Sequence, residues 1–188
     1  MELVVGITGA SGAILGIRLL EVLAKNEKVK THLIISKWGE RIIEMETGRR
    51  IEDVVRLADH HYDNEDLTAV FSSGSHRFDG MVIIPCSTHT LASIASGFAN
   101  DLITRTAAVS LKEGRKLVLV IRETPLSSIH IRRMLEVSEA GAVILPPVLT
   151  FYHKPKRVGD LIDYVVGKVL DQFNIEHSLF KRWGNRVR

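Results

Sequence analysis

The sequence predicts an α/β fold in a single domain, with an open, mostly parallel sheet covered by helices on both faces. Its 188 residues are 45% hydrophobic and 25% charged, which is the size and balance of one domain with a substantial core. Apolar runs alternate with amphipathic stretches from end to end. Neither an internal repeat nor a linker rich in proline, glycine or serine divides the chain.

Five short apolar runs predict the strands, and an amphipathic stretch that predicts a helix follows each run. The runs are Leu3 to Thr8, Lys30 to Ile35, Met81 to Ile84, Lys116 to Ile121 and Ala142 to Leu145. The first helix, Ile14 to Ala24, places Leu15, Leu19, Val22 and Leu23 on one face. This order is typical of a Rossmann-like sheet, in which ligands bind at the carboxyl ends of the strands.

The polar segment from His60 to Asp66 contains several side chains that can bind metals. We expect a solvated loop without a function there, because no predicted helix or strand fixes the spacing of these side chains.

Composition excludes several classes of function. The 25 basic and 22 acidic residues give a net charge of +3, which suits small phosphorylated ligands but is too low to indicate nucleic-acid binding. No apolar run reaches the roughly 18 to 20 residues of a membrane span, and the first residues lack the features of a secretory signal, so a cytoplasmic location without membrane partners is expected. The single cysteine, Cys86, can form neither an internal disulfide nor a zinc-type cluster, and we expect a small buried residue there.

A glycine-rich turn from Gly6 to Gly12 follows the first strand. Such a turn can bring backbone N–H groups to an anion at the N-terminus of the next helix, although it can also be a tight turn that binds nothing. A dinucleotide fold would place an acidic residue at the end of the second strand, but this chain has Ser36 and Lys37. A hydroxyl and a cation favour a phosphate or a ribityl chain, which indicates a mononucleotide such as FMN.

Polar residues also follow the third and fourth strands. Ser87, Thr88, His89 and Thr90 begin a helix that one of these hydroxyls would cap, and the surplus of donors favours an anion or a flavin ring. The pair Arg122 and Glu123 leaves the fourth strand where burial is costly without a function, the alternative being a surface salt bridge.

Two further basic residues, Arg105 and Lys112, lie seven positions apart on the helical stretch from Asp101 to Glu113. This spacing places them close to one face of that helix. On their own they could also be solvated.

Four segments together resemble the flavin prenyltransferases, the UbiX proteins and the B subunits of phenolic-acid decarboxylases. The segments are GITGASGA, PCSTHTLASIASG, LITRTAAVSLKEGRKLVLVIRETPLSSIHIRRM, and FYHKP with VLDQF. The resemblance covers about residues 2 to 183. It implies a metal-independent enzyme that transfers a dimethylallyl group from dimethylallyl phosphate to reduced FMN, and delivers the prenylated FMN to a partner decarboxylase. It also implies a homo-oligomer, a dodecamer with sites between subunits.

The resemblance assigns the site residues in two groups, with Glu123, Lys112 and Ser11 expected to be catalytic. FMN binding is assigned to Gly9, Ala10, Ser11, Ser36, Ser87, Thr88, His89, Thr90 and Arg122. Binding of dimethylallyl phosphate is assigned to Arg105, Lys112, Glu123, Tyr152 and Lys168.

The chain departs from the family pattern at a few positions. Lys168 stands where the family commonly has arginine, so the charge is kept but the bidentate fork is lost. Ala108 replaces an aspartate near the site, and Leu149 and Thr150 replace a Pro-Ala pair. We expect a flavin-binding domain of residues 1–175, followed by a basic tail of residues 176–188. Trp183 lies in this tail, where it can cover the site or fill a subunit contact.

Two other functions stay open. One is an FMN-dependent decarboxylase of peptidyl cysteine or a related acid, which would not need a cluster of cations for a departing phosphate. The other is a flavin-binding accessory subunit without catalytic activity, which the change at Ala108 allows.

Overall fold

In the computed structural model, which describes residues 1–184, six strands form one sheet. They are β1 (Glu2–Ile7), β2 (Lys30–Ile35), β3 (His60–Asp63), β4 (Gly80–Cys86), β5 (Lys116–Ile121) and β6 (Val143–Ile144). Their order in the sheet is β3-β2-β1-β4-β5-β6, and each neighbouring pair is parallel. The predicted α/β class and parallel sheet are confirmed.

Seven α-helices connect these strands within the described residues, together with a 3₁₀ turn at Val70–Ser72. They are α1 (Ala13–Leu23), α2 (Lys37–Thr47), α3 (Ile51–Val55), α4 (Thr88–Ala95), α5 (Leu102–Lys112), α6 (Ser128–Glu139) and α7 (Val158–Gln172). None of the helices within residues 1–184 has both the length and the apolar character that a membrane span requires.

The sheet is buried on both faces, because successive residues of a strand point in opposite directions. In β1, Leu3 and Val5 pack with α1, α2, α3 and α7 on one face, whereas Val4 packs with α4, α5 and α6 on the other. Both faces are mostly apolar, which explains why the central strands read as largely hydrophobic runs, although β2 also buries Thr31 and His32. The predicted placement of helices on both faces is confirmed.

The prediction of a loop from His60 was wrong, since residues His60–Asp63 form the edge strand β3. This strand pairs with β2 alone, and three of its four residues are exposed. An edge strand can therefore carry polar residues, and it lacks the apolar run that marks a central strand. The ring of His60 stacks on His32 of β2, with 5.1 Å between their centroids.

The five predicted strands are all present. β2 and β5 have the predicted bounds, β1 lies one residue earlier than predicted, β4 is longer, and β6 is two residues shorter.

Candidate functional site

A cavity of about 580 Å³ lies at the carboxyl ends of β1, β2 and β4. Connections leave β1 in one direction and β4 in the other, so this is the topological switch point where open parallel sheets bind ligands. The cavity is lined by Thr8, Gly9, Ile35, Ser36, Lys37, Trp38, Glu40, Asp63, Asn64, Glu65, Ser87, Thr88, His89, Thr90 and Asp101. The sequence missed the part of this lining that follows β3, because it predicted no strand there.

The glycine turn after β1 needs glycine at two positions for different reasons. A Cβ on Gly9 would lie 2.4 Å from the Cβ of Trp38, so the turn can approach α2 this closely only without a side chain. Gly12 has a φ of 98°, in the left-handed region that disfavours other residues. The turn is therefore held against α2 and leads directly into α1.

Glu46, which the sequence analysis did not single out, occupies the N-terminus of α1. Its Oε2 accepts hydrogen bonds from the N–H groups of Gly12 at 2.8 Å and Ala13 at 3.1 Å. Burial opposes ionisation, but hydrogen bonds from the Ser11 side chain and these N–H groups, with the charge of Arg122, hold the pKa of Glu46 below its usual value. The N-terminus of α1 thus holds a carboxylate of the chain itself, which the sequence analysis did not anticipate.

Hydrogen bonds of the Thr8 side chain connect the end of β1 to the end of β4. Its buried Oγ1 donates to the carbonyl of Pro85 at 2.8 Å and accepts from the N–H of Ser87 at 2.8 Å. These bonds place the starts of the glycine turn and of α4 side by side at the cavity.

Ser36 and Ser87 cap the two helices that begin at the cavity. Ser36 Oγ accepts from the N–H of Gly39 at 3.1 Å in α2, and Ser87 Oγ accepts from the N–H of Thr90 at 3.2 Å in α4. The cap predicted for the helix after β4 is confirmed, and Ser87 is the residue that forms it. Thr88 and His89 line the cavity. The donors that the sequence placed at these two strand ends therefore meet around one space.

Arg122 and Glu123 follow β5, and their side chains have different partners. Arg122 Nε donates to the carbonyl of Ser11 at 3.1 Å, whereas Glu123 Oε1 accepts from the N–H of Thr124 at 3.0 Å. Among residues 1–184, no salt bridge joins the two side chains, so the alternative of a surface ion pair does not describe them. Arg122 instead joins the group formed by Ser11 and Glu46.

Tyr152, Lys168 and Trp183 lie together on a patch beside α7. The rings of Tyr152 and Trp183 meet edge to face with 5.3 Å between centroids, and Tyr152 meets Tyr164 of α7 at 6.1 Å. Lys168, one turn further along α7, has its Nζ 3.5 Å from Asp171 Oδ2. The structure brings these predicted residues to one place, and most of the Trp183 side chain is exposed.

Arg105 and Lys112 do not join the predicted cluster within one chain. Lys112 ends the helix that leads into β5, whereas Glu123 follows β5, so the six residues of that strand, roughly 20 Å, separate them. Lys112 Nζ pairs with Glu113 at 2.6 Å, and Arg105 Nε donates to the carbonyl of Ser72 at 2.9 Å. Arg105 and Lys112 share one face of α5, but that face does not bring Lys112 to the strand end that carries Glu123.

Cys86 is fully buried at the end of β4, and burial raises the pKa of its thiol to about 12. The prediction of a small buried residue is confirmed. Within the described part of the chain, no group of three histidine, cysteine, aspartate or glutamate side chains is arranged to hold a metal ion.

The family model described as Flavoprotein matches residues 1–170. The chain is also 53% identical to the Saccharomyces cerevisiae protein named flavin prenyltransferase PAD1, mitochondrial, over 97% of this chain and 75% of the yeast protein. The chain belongs to the flavin prenyltransferase family. The resemblance seen in the sequence is thereby confirmed for almost the whole length of the chain.

Two crystal structures of UbiX-like relatives superimpose closely on this flavin prenyltransferase. One is a dodecameric FMN-dependent UbiX-like decarboxylase from Escherichia coli O157:H7, 50% identical, with a TM-score of 0.96 over 98% of this chain and all of that one. The other is AnUbiX (PadA1) in complex with FMN and dimethylallyl pyrophosphate, 53% identical, with a TM-score of 0.96 over 99% of this chain and 98% of that one. The peptidyl-cysteine decarboxylase EpiD is only 16% identical with a TM-score of 0.62, which shows a shared fold alone.

Proposed function

We propose that this member of the family transfers the dimethylallyl group of dimethylallyl phosphate to reduced FMN. The observation that carries the proposal is the cavity at the switch point, where two capped helix N-termini converge and the end of β2 bears Ser36 instead of a carboxylate. A relative that is 53% identical was crystallised with FMN and a dimethylallyl donor, which supports the same pair of ligands here.

The residues around the cavity fit FMN. Because Glu46 fills the N-terminus of α1, the flavin phosphate is assigned to the side of the cavity formed by Ser36 and the start of α4. The first N–H groups of a helix lack partners within the helix, so Thr88 and His89 offer backbone as well as side-chain donors. We assign Gly9, Ala10, Ser11 and Arg122 to the remainder of the flavin. The glycine turn has no bulky side chains, so it leaves space for the flavin ring. Reduced FMN supplies the ring that accepts the prenyl group.

The prenyl donor is assigned to the patch beside α7. Breaking an allylic C–O bond leaves negative charge on the departing phosphate, and Tyr152 and Lys168 can donate hydrogen bonds to it. We assign to Glu123 the proton that the flavin ring releases on alkylation, and we assign to Ser11 a position beside the ring. We keep the monophosphate as donor because the sequence lacks an Asp-Asp-x-x-Asp element of the kind that binds a magnesium diphosphate.

Lys112 can serve this reaction only from a neighbouring copy, since within one chain it lies at the other edge of the sheet, and we assign Arg105 of the same helix to that copy as well. Assembly of copies is supported by α6, where Ile129, Ile131 and Leu135 are more than half exposed. A 50% identical relative is dodecameric, so we propose a homo-oligomer of the same kind. Delivery of the product to a decarboxylase and a cytoplasmic location stay predictions.

The deciding experiment mixes the purified protein with FMN, a reductant and dimethylallyl phosphate without oxygen. We expect a flavin that has gained the mass of one dimethylallyl group. Recovery of unmodified FMN alone would favour the accessory subunit, and release of carbon dioxide from a cysteine-ending peptide would favour the decarboxylase. Repeating the reaction after removing metals with a chelator tests the expected metal independence.

A further inference from the structure

One carboxylate, that of Asp171 near the end of α7, anchors the C-terminal segment, which we define as residues 176–183. Arg182 forms a bidentate pair with it, from Nη2 to Oδ1 at 2.6 Å and from Nη1 to Oδ2 at 3.1 Å. His177 Nε2 lies 3.1 Å from Oδ1, and the Asp171 side chain is only 19% exposed. The hydrogen bonds from Arg182 hold the pKa of Asp171 below its ordinary value, so the anchor is charged at neutral pH.

The same carboxylate faces Lys168, one turn earlier on the helix. Lys168 Nζ is 3.5 Å from Oδ2, longer than either bond from Arg182. Because Arg182 occupies both oxygens, the ammonium group of Lys168 is held nearby while its donors stay available. Two cations around one carboxylate leave an excess of positive charge, which suits a phosphate.

The segment packs on α7 along the face that carries these residues. The ring of Phe180 lies 4.8 Å from that of Tyr164, and Trp183 reaches Tyr152. Gly167 lets the segment approach, because a Cβ there would lie 2.5 Å from Phe180 Cε1 and 2.6 Å from His177 Cε1. The bonds to Asp171, the ring contacts and the close approach at Gly167 together hold the segment against the patch beside α7. The proposed function assigns this patch to the prenyl donor.

We propose that Asp171 is a positioning residue for the prenyl donor, which it serves by fixing the C-terminal segment beside Tyr152 and holding Lys168 at the phosphate position. This inference rests on the proposed function. The carboxylate of Asp171 is taken up by Arg182 and His177, so we assign it no contact with donor or flavin; its loss should raise the donor concentration needed for half-maximal rate and leave FMN binding unchanged.

The test compares Asp171→Asn with Asp163→Asn in the full-length protein. Asp163 lies on the same helix and is 24% exposed, but its carboxylate pairs with Arg18 of α1 at 2.7 Å and forms no hydrogen bond to the described residues of the segment. Hydrogen–deuterium exchange reports on peptides that cover residues 174–183. We expect faster exchange there in Asp171→Asn and an unchanged rate in Asp163→Asn.

Kinetics of flavin prenylation provide the second readout. In Asp171→Asn we expect the half-saturating concentration of dimethylallyl phosphate to rise roughly tenfold, the change that about 1.4 kcal/mol produces, with the limiting rate within about twofold. Gly167→Ala keeps the Asp171 charge and favours the helix, yet its methyl group displaces the segment, so it should reproduce the faster exchange.

Equal exchange in Asp171→Asn and the unsubstituted protein would overturn the inference, as would the same effect in Asp163→Asn. A fall in limiting rate at unchanged half-saturation would also overturn it, because that pattern marks a group acting in the chemical step. If the unsubstituted protein prenylated no flavin, the proposed function and the role toward the donor would fail together. The exchange result would still show whether Asp171 anchors the segment.

Discussion

The Thr8 hydroxyl joins the ends of two strands at the cavity, and Thr8→Val removes it while keeping the shape of the side chain. The substitution deletes the bonds to the Pro85 carbonyl and from the Ser87 N–H. The Pro85 carbonyl keeps a second partner, the N–H of residue 8 at 3.2 Å. Valine therefore leaves one group without a partner, the N–H of Ser87.

A buried N–H group without a partner costs about 1 to 3 kcal/mol. Ser87 is half-buried, so water can reach part of its surroundings and the lower half of that range applies. We expect Thr8→Val to lower the free energy of unfolding by about 1 to 2 kcal/mol. At a typical denaturant dependence, this lowers the urea midpoint by roughly 0.5 to 1 M, measured without FMN at fixed protein concentration.

Thr106→Val is the matched control. Thr106 is fully buried in α5 and its Oγ1 has no hydrogen-bond partner, so exchanging the hydroxyl for a methyl group should leave stability unchanged or raise it. Thr8→Ser, which keeps the hydroxyl, should lie closer to the unsubstituted protein than Thr8→Val. Equal midpoints for the two valine variants would refute the reasoning, because it rests on one hydroxyl being bonded and the other not.

Three further outcomes are expected. Glu123→Gln should keep FMN affinity in a titration but slow prenylation of reduced FMN by about 10² to 10⁴ in single-turnover absorbance, and an unchanged rate would remove Glu123 from proton transfer. Lys112→Ala should mainly raise the half-saturating concentration of dimethylallyl phosphate, and a normal value would exclude Lys112 from the donor site. Cys86 should resist alkylation by iodoacetamide at pH 8.5 until urea unfolds the protein, since burial raises its pKa to about 12; rapid labelling of the folded protein would contradict this.

The sequence was sufficient to predict the central strands, because a strand buried on both faces is mostly apolar. The four runs that became β1, β2, β4 and β5 are of this kind, except that β2 also buries Thr31 and His32. It was insufficient for β3, whose sequence His-His-Tyr-Asp has no apolar run. Because the sequence did not predict that strand, it also did not predict that Asp63, Asn64 and Glu65 line the cavity.

Glu46 was missed for a different reason. It lies 34 residues beyond Gly12 in the sequence, and nothing in the segment around it signals that α2 brings its carboxylate back to the start of α1. A glycine turn followed by a helix predicts an anion site from local geometry alone. Whether a ligand or the chain itself supplies the anion depends on tertiary packing, which local patterns do not contain.

The separation of Lys112 from Glu123, by contrast, follows from topology. A helix that leads into a parallel strand ends at the amino edge of the sheet, and the residue after that strand lies at the carboxyl edge. Since Lys112 closes the helix before β5, this rule alone places it far from Glu123 in the same chain.

That separation also bears on charge at the site. The residues that the proposals place nearest the flavin ring and the prenyl donor in one chain carry three positive and three negative charges, those of Arg122, Lys168, Arg182, Glu46, Glu123 and Asp171. A phosphate monoester brings about 1.5 to 2 negative charges near neutral pH, and its departure in a site of no net charge would be poorly stabilised. Under the proposed assembly, Arg105 and Lys112 of a neighbouring copy would add two cations that stabilise the leaving phosphate. The cavity at the switch point is lined by residues of one chain, whereas the proposal makes stabilisation of the leaving phosphate depend on assembly.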